Sequence, residues 1–177
     1  MKKKAALLVS SITGNTKKIA DALALELKKM EYEIICRYNR DCLSEIIDAD
    51  LYLIGFWVRK GSLNDQSMDT VNLYEKKKML AFGSLGNYPD GEYGDLVRSN
   101  VSTYINKKNY CSEVFLSQGA IPIQRTKKRR QLSPDAPHYL DDEGYQRHLE
   151  SRNHPNEEDL KLACQWLHQQ LEKDGSL

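Results

Sequence analysis

The sequence predicts an α/β fold built on a mainly parallel sheet, and three observations carry that prediction. Short runs rich in apolar and β-branched residues alternate with longer segments of helical apolar spacing. One run, residues 51–57, is nearly all apolar, as a central strand buried on both faces requires. With 177 residues, the chain is long enough to bury a core of its own without disulfides or metals.

The elements follow in order. Residues 5–10 make a first short apolar strand. Residues 16–30 read as a helix with Ile19, Leu23, Leu27 and Met30 along one face, and with Lys17, Lys18, Lys28 and Lys29 away from it or at its ends. Residues 32–36 are β-branched and aromatic enough for a second strand, and residues 51–57 form the third. A helix over 67–76 carries Val71 and Leu73. A fourth strand spans 79–83, and a helix over 95–106 presents Leu96, Val97, Val101 and Ile105. Residues 110–117 make the fifth strand. In such sheets ligands lie beyond the carboxyl ends of the strands, where strand order reverses. The loops of interest are therefore those after strands one, three and four.

Residues 118–155 break this rhythm. They hold the basic run 125–130, then Pro134 and Pro137, then a short acidic stretch of helical character. Asn156 is a suitable cap for a closing helix, with Glu157, Glu158 and Asp159 in its first turn. Leu160, Ala163, Cys164, Leu167 and Leu171 give that helix its core face. Residues 1–177 thus read as a single domain with an atypical segment at 118–155.

Composition excludes several function classes. Lys and Arg total 26 against 25 Asp and Glu, so a net charge of +1 predicts no general attraction to nucleic acid or membrane. Cys36, Cys42, Cys111 and Cys164 are scattered without a CxxC pair, which argues for free thiols in a reducing cytosol. The apolar run near the N-terminus is too short for a signal peptide, and no stretch approaches the roughly 18 apolar residues of a membrane span. A cytoplasmic protein is expected. His138, His148, His154 and His168 show no metal-site spacing, and no catalytic Ser-His-Asp or Cys-His set can be argued.

The turn from first strand to first helix reads Ser11, Ile12, Thr13, Gly14, Asn15, Thr16. A helix start offers unpaired N–H groups and the positive end of its dipole, so it can hold a phosphate without a charged side chain. The hydroxyls of Ser11, Thr13 and Thr16 and the amide of Asn15 can add donors, and Gly14 lets the backbone approach closely. There is no GxGxxG and no GK[ST], which disfavours dinucleotide and nucleoside-triphosphate loops.

This S-x-T-G-N-T loop resembles the FMN phosphate motif of the flavodoxin family, and the resemblance covers residues 4–118 and the last helix. It implies a doubly wound, five-stranded parallel sheet of order 2-1-3-4-5, the flavodoxin order that general α/β rules also name. It implies FMN as cofactor. The loops after strands three and four would then grip the flavin ring, through Phe56, Trp57, Val58 and Gly61 in the first and Ser84, Leu85, Gly86 and either Tyr88 or Tyr93 in the second. Trp57 stands two residues earlier than the usual flavodoxin Trp, whose place Arg59 takes, so it either contacts the ring or ends the strand in the core. Gly61 is the candidate for a peptide that hydrogen-bonds the flavin N5 on reduction.

Functionally the resemblance implies an electron carrier between a reductase donor and an acceptor enzyme. Two alternatives stand beside it: an FMN-dependent reductase of quinones or other small acceptors, and an interaction module that has lost its flavin. Arg59 and Lys60 predict a less negative potential than that of acidic flavodoxins. A cation roughly 8 Å from the ring contributes about 2 kcal/mol at an effective dielectric near 20, or about 90 mV for one electron. The run 125–130, which lacks interleaved aromatics, reads as a solvated loop, or as a docking patch for an acidic redox partner.

Overall fold

The structure is a computed structural model that describes residues 2–173 and 175. Among the described residues five parallel strands form the sheet: β1 (Lys4–Val9), β2 (Glu33–Tyr38), β3 (Leu51–Arg59), β5 (Met79–Leu85) and β6 (Val114–Gln118). Their spatial order is β2-β1-β3-β5-β6, which is 2-1-3-4-5 once the two-residue β4 (Ser62–Leu63) is set aside. Strand order reverses between β1 and β3, so the loops leaving these two strands open beside each other.

The period-two alternation of strands decides which residues face which layer. Ala5, Leu7 and Val9 of β1 pack under α1 (Asn15–Lys29) and α6 (Glu157–Lys173), against Ile19, Leu23, Leu27 and Leu167. Ala6 and Leu8 point the other way, toward α2 (Asp65–Asn72) and α3 (Glu92–Ile105), where Val71, Val97, Val101 and Ile105 complete a second cluster. Both cores are needed because a strand such as β3 is apolar on both faces.

Three departures from the sequence expectations have local causes. First, β3 runs on to Arg59 and folds back through β4, pairing Val58 with Leu63 and Arg59 with Ser62. The turn places Lys60 at φ 50° and Gly61 at φ 75°, the left-handed pair that a two-residue hairpin requires. Second, the last strand shortens to Val114–Gln118, leaving only a bridge between Lys78 and Tyr110 where the strand was expected to begin. Third, the basic run is not a loop. It forms α4 (Ile123–Arg130), and the acidic stretch forms α5 (Asp142–Glu150), followed by a 3-10 turn at Ser151–Asn153.

Opposite charge and capping hold α4 to α5. Arg130 pairs with Asp142 and donates to the Leu140 carbonyl at 2.9 Å. Asp141 caps α5 by accepting from the Gly144 N–H at 2.7 Å. All four cysteines are free, and burial pushes the Cys42 and Cys111 thiols up to about 11 and about 12. Among the described residues no helix is long and apolar enough to cross a membrane, and no cluster of His, Cys, Asp and Glu could hold a metal ion.

Candidate functional site

The loop between β1 and α1 is shaped by its backbone. Gly14 adopts φ +87°, a left-handed geometry, and nothing stands within 4 Å of where its Cβ would be. The N–H groups of Thr13, Gly14, Asn15 and Thr16 make no hydrogen bond within the described residues. Four donors therefore point out of the positive end of a 15-residue helix. The side chains hold this arrangement in place. Ser11 Oγ accepts from the Lys17 N–H at 3.2 Å, and Asn15 Nδ2 donates to Thr13 Oγ1 and to the Ala120 carbonyl, each at 3.0 Å.

Thr16 has a different place from the one its motif suggested. Its hydroxyl is buried, donating to the Phe56 carbonyl at 3.2 Å and lying 2.9 Å from Ser84 Oγ. It ties the loop to β3 and β5 and is not available as an outward donor.

Beyond this helix start lies a cleft of about 130 Å³. It is lined by Ile12, Thr13, Asn15 and Thr16 from the loop and helix start, by Trp57, Val58, Ser84, Leu85 and Gly86 from the ends of β3 and β5, and by residues 119–122 and Arg125 from the segment after β6. That segment is pinned where it is: Gly119 N–H donates to the Leu85 carbonyl and Ala120 N–H to the His154 carbonyl, both at 2.8 Å. The Trp57 indole Nε1 is buried and has no hydrogen-bond partner among the described residues.

A second cavity, of about 240 Å³, opens from the first and shares Val58, Leu85, Gly86, Ile121 and Arg125 with it. Asn87 and Tyr93 add to the loop side, while Arg129, Arg147 and His148 come from α4 and α5. His148 is only 2 % exposed and its Nδ1 lies 3.0 Å from the Thr126 hydroxyl. Burial, then the charges of Arg129, Arg147, Arg125 and Arg152, push its pKa down to about 4, so it is neutral at pH 7.

Other expected ligand residues fall elsewhere. Phe56 is fully buried in the core, where a Cβ at Gly83 would stand 2.5 Å from its ring. Gly61 lines neither cavity; it makes the hairpin turn, and its carbonyl accepts from Asn100 Nδ2 at 2.9 Å. Ser11 and Gly14 shape the loop without lining the cavities. Of the two tyrosines, Tyr93 faces the second cavity, whereas the Tyr88 hydroxyl donates to Glu150 at 2.6 Å beside a separate groove along β6. The Arg59 charge is offset by an ion pair with Asp65, so the cationic wall of the site comes from α4 and α5 instead.

Sequence reasoning missed residues 119–122, Arg125, Arg129, Arg147 and His148. One signal was available: Arg125 and Arg129 are four apart, hence on one helical face, once 123–130 is read as a helix.

Comparison with known proteins places this geometry in context. A flavodoxin domain family model matches residues 6–168. A Clostridioides difficile protein named flavodoxin-like domain-containing protein BilS is 31% identical over 170 residues, covering 90% of this chain and 92% of its own. Oxidised flavodoxin 1 from Bacillus cereus superposes with a TM-score of 0.53 at 17% identity, over 93% of this chain and 97% of that one. A Lactobacillus acidophilus flavoprotein solved in complex with FMN gives a TM-score of 0.50 at 17% identity, over 64% of this chain and 93% of that one.

Proposed function

The chain belongs to the flavodoxin domain family, and on that premise we propose that it binds FMN in the cleft at the α1 N-terminus and transfers electrons through it. One observation carries the reading. Four backbone amides at Thr13 to Thr16, without a protein partner among the described residues, stand at the start of α1 beside a cleft that is also lined by the carboxyl ends of β3 and β5. The amides would hold the phosphate, and Trp57, Val58 and Leu85, which line that cleft, would flank the ring, with the buried Trp57 Nε1 as a spare donor. When bound, FMN supplies the one- and two-electron chemistry; the protein supplies position and surroundings. In this reading a reductase donates the electrons and an acceptor enzyme receives them, in the cytoplasm.

A second reading, reduction of a small acceptor by the protein itself, is favoured by the 240 Å³ cavity that α4 and α5 add beside the ring loops. Both readings share one test. Purified protein should carry a flavin that elutes as FMN after heat release, at one per chain. A chain that neither retains nor takes up FMN overturns both. Turnover of NAD(P)H with a quinone, without added reductase, separates the second from the first.

A further inference from the structure

We propose that the wall formed by Arg125, Arg129, Arg147 and His148 is a binding site for the carboxylate of an apolar organic anion, seated beside the flavin cleft. The inference rests on the FMN reading and names the chemistry of the small acceptor that reading allows.

Three observations converge on it. The first is charge without compensation. Among the described residues, Arg37, Arg59, Arg98 and Arg130 each pair with a carboxylate. Among the same described residues Arg125, Arg129 and Arg147 pair with none, although Arg129 and Arg147 are half-buried. No acidic residue lines their cavity. Burial and the neighbouring Arg125 and Arg147 hold the Arg129 pKa below its ordinary value, which registers the crowding of like charge. Such a cluster is unfavourable by itself and becomes favourable when an anion sits among it.

The second is the buried His148. Its Nδ1 is committed to Thr126, and its Nε2 has no hydrogen-bond partner among the described residues. A neutral imidazole can donate one hydrogen bond to a carboxylate oxygen beside the guanidinium forks, which match carboxylates two bonds at a time.

The third is the rest of the lining. Val58, Leu85, Ile121 and Tyr93 are apolar or aromatic. A cavity of 240 Å³ lined by both cationic and apolar side chains suits a molecule that is itself divided, with a hydrocarbon or aromatic body and an anionic end. Inorganic phosphate would satisfy only the cationic residues. The FMN phosphate has its own place, since Thr13, Asn15 and Thr16 line the first cavity alone and Arg129, Arg147 and His148 the second alone.

The test is a calorimetric titration of the FMN-loaded protein with benzoate, with benzamide as the neutral isostere and with inorganic phosphate. Benzoate should bind at one per chain without displacing FMN, while benzamide and phosphate bind at least about tenfold more weakly. R129Q and R147Q should each weaken benzoate about tenfold and keep their FMN; R129K, which retains charge and loses the fork, should fall between. Arg40, outside both cavities, supplies the control, and R40Q should bind benzoate as the parent does. The proposal is overturned if benzoate competes with FMN, for then the arginines face the flavin itself. It is equally overturned if phosphate binds as tightly as benzoate, or if R129Q and R147Q leave benzoate binding unchanged. Failure to retain FMN at all sinks the underlying reading instead, and is seen first, in the absorption spectrum.

Discussion

Two adjoining cavities meet negative charge by opposite means. At the α1 N-terminus, four backbone N–H groups and a helix dipole stand beside the first, with no charged side chain lining it from this loop. In the second, α4 and α5 present three guanidiniums without a carboxylate partner among the described residues, and a neutral buried histidine. The first device is part of the fold: any strand-turn-helix of this shape exposes those amides. The second is an addition, and it works against folding, because like charges are crowded together around a buried imidazole. The difference teaches that the loop is a permanent feature of the scaffold, while the α4–α5 wall has a reason only when something anionic meets it.

Three experiments break or sharpen this contrast. The largest effect is expected at His148. Its ordinary pKa in the unfolded chain is near 6.5 and its folded value about 4, so between these values the unfolded state binds the extra proton. Stability therefore falls as pH drops from 7 through this window, by about 2 kcal/mol at pH 5 from this group alone. The charges that act on it are Arg125 and Arg129 of α4, Arg147 of α5 and Arg152. Urea unfolding of the parent and of His148→Gln across pH 5 to 7 should show a shallower pH dependence in the variant; equal slopes would remove His148 from the account.

Next in size is the loop. Gly14→Val places a β-branched side chain at φ +87°, with space for its atoms but not for its backbone conformation. The strain is about 1–2 kcal/mol, so FMN affinity should drop about tenfold with the fold kept. Flavin fluorescence titration measures it, and an unaltered affinity would show that the left-handed turn is not what aims the amides.

The smallest effect carries an unusual sign. Removing one of three crowded charges by Arg129→Gln should raise stability of the flavin-free protein by about 0.5 kcal/mol. A loss on thermal unfolding would mean instead that Arg129 holds α4 in place.

How much of this could be read from the sequence differs between the same two regions. The turn Ser11 to Thr16 is legible because its chemistry is local: hydroxyls, a glycine and a helix start lie within six residues, and their spacing specifies what they can do. The strands were legible for a similar reason, since a run such as 51–57 can be nothing but a buried strand or helix segment, and its length selects the strand. Trp57, Val58, Ser84, Leu85 and Gly86 reach the cleft because they stand at the carboxyl ends of the adjacent strands β3 and β5. Between Tyr88 and Tyr93 the sequence offered no choice. The structure separates them through Glu150, a partner 62 residues away. The basic run was misread as a loop because its helix carries almost no apolar face; only Thr126 is buried, and it is held by a histidine from α5.

By itself, then, the sequence determined the alternation of strands and helices, the two-sided apolar core, the phosphate-type loop and the kinship with flavodoxins. These follow from periodicity and from contacts between near neighbours. Only the tertiary structure decided that Thr16 braces the loop, that Phe56 belongs to the core, that Asp65 offsets Arg59, and that Arg125, Arg129, Arg147 and His148 gather in one cavity. Each of these depends on groups brought together from distant or differently folded segments, where burial and partner choice, and not residue type, set what a side chain does.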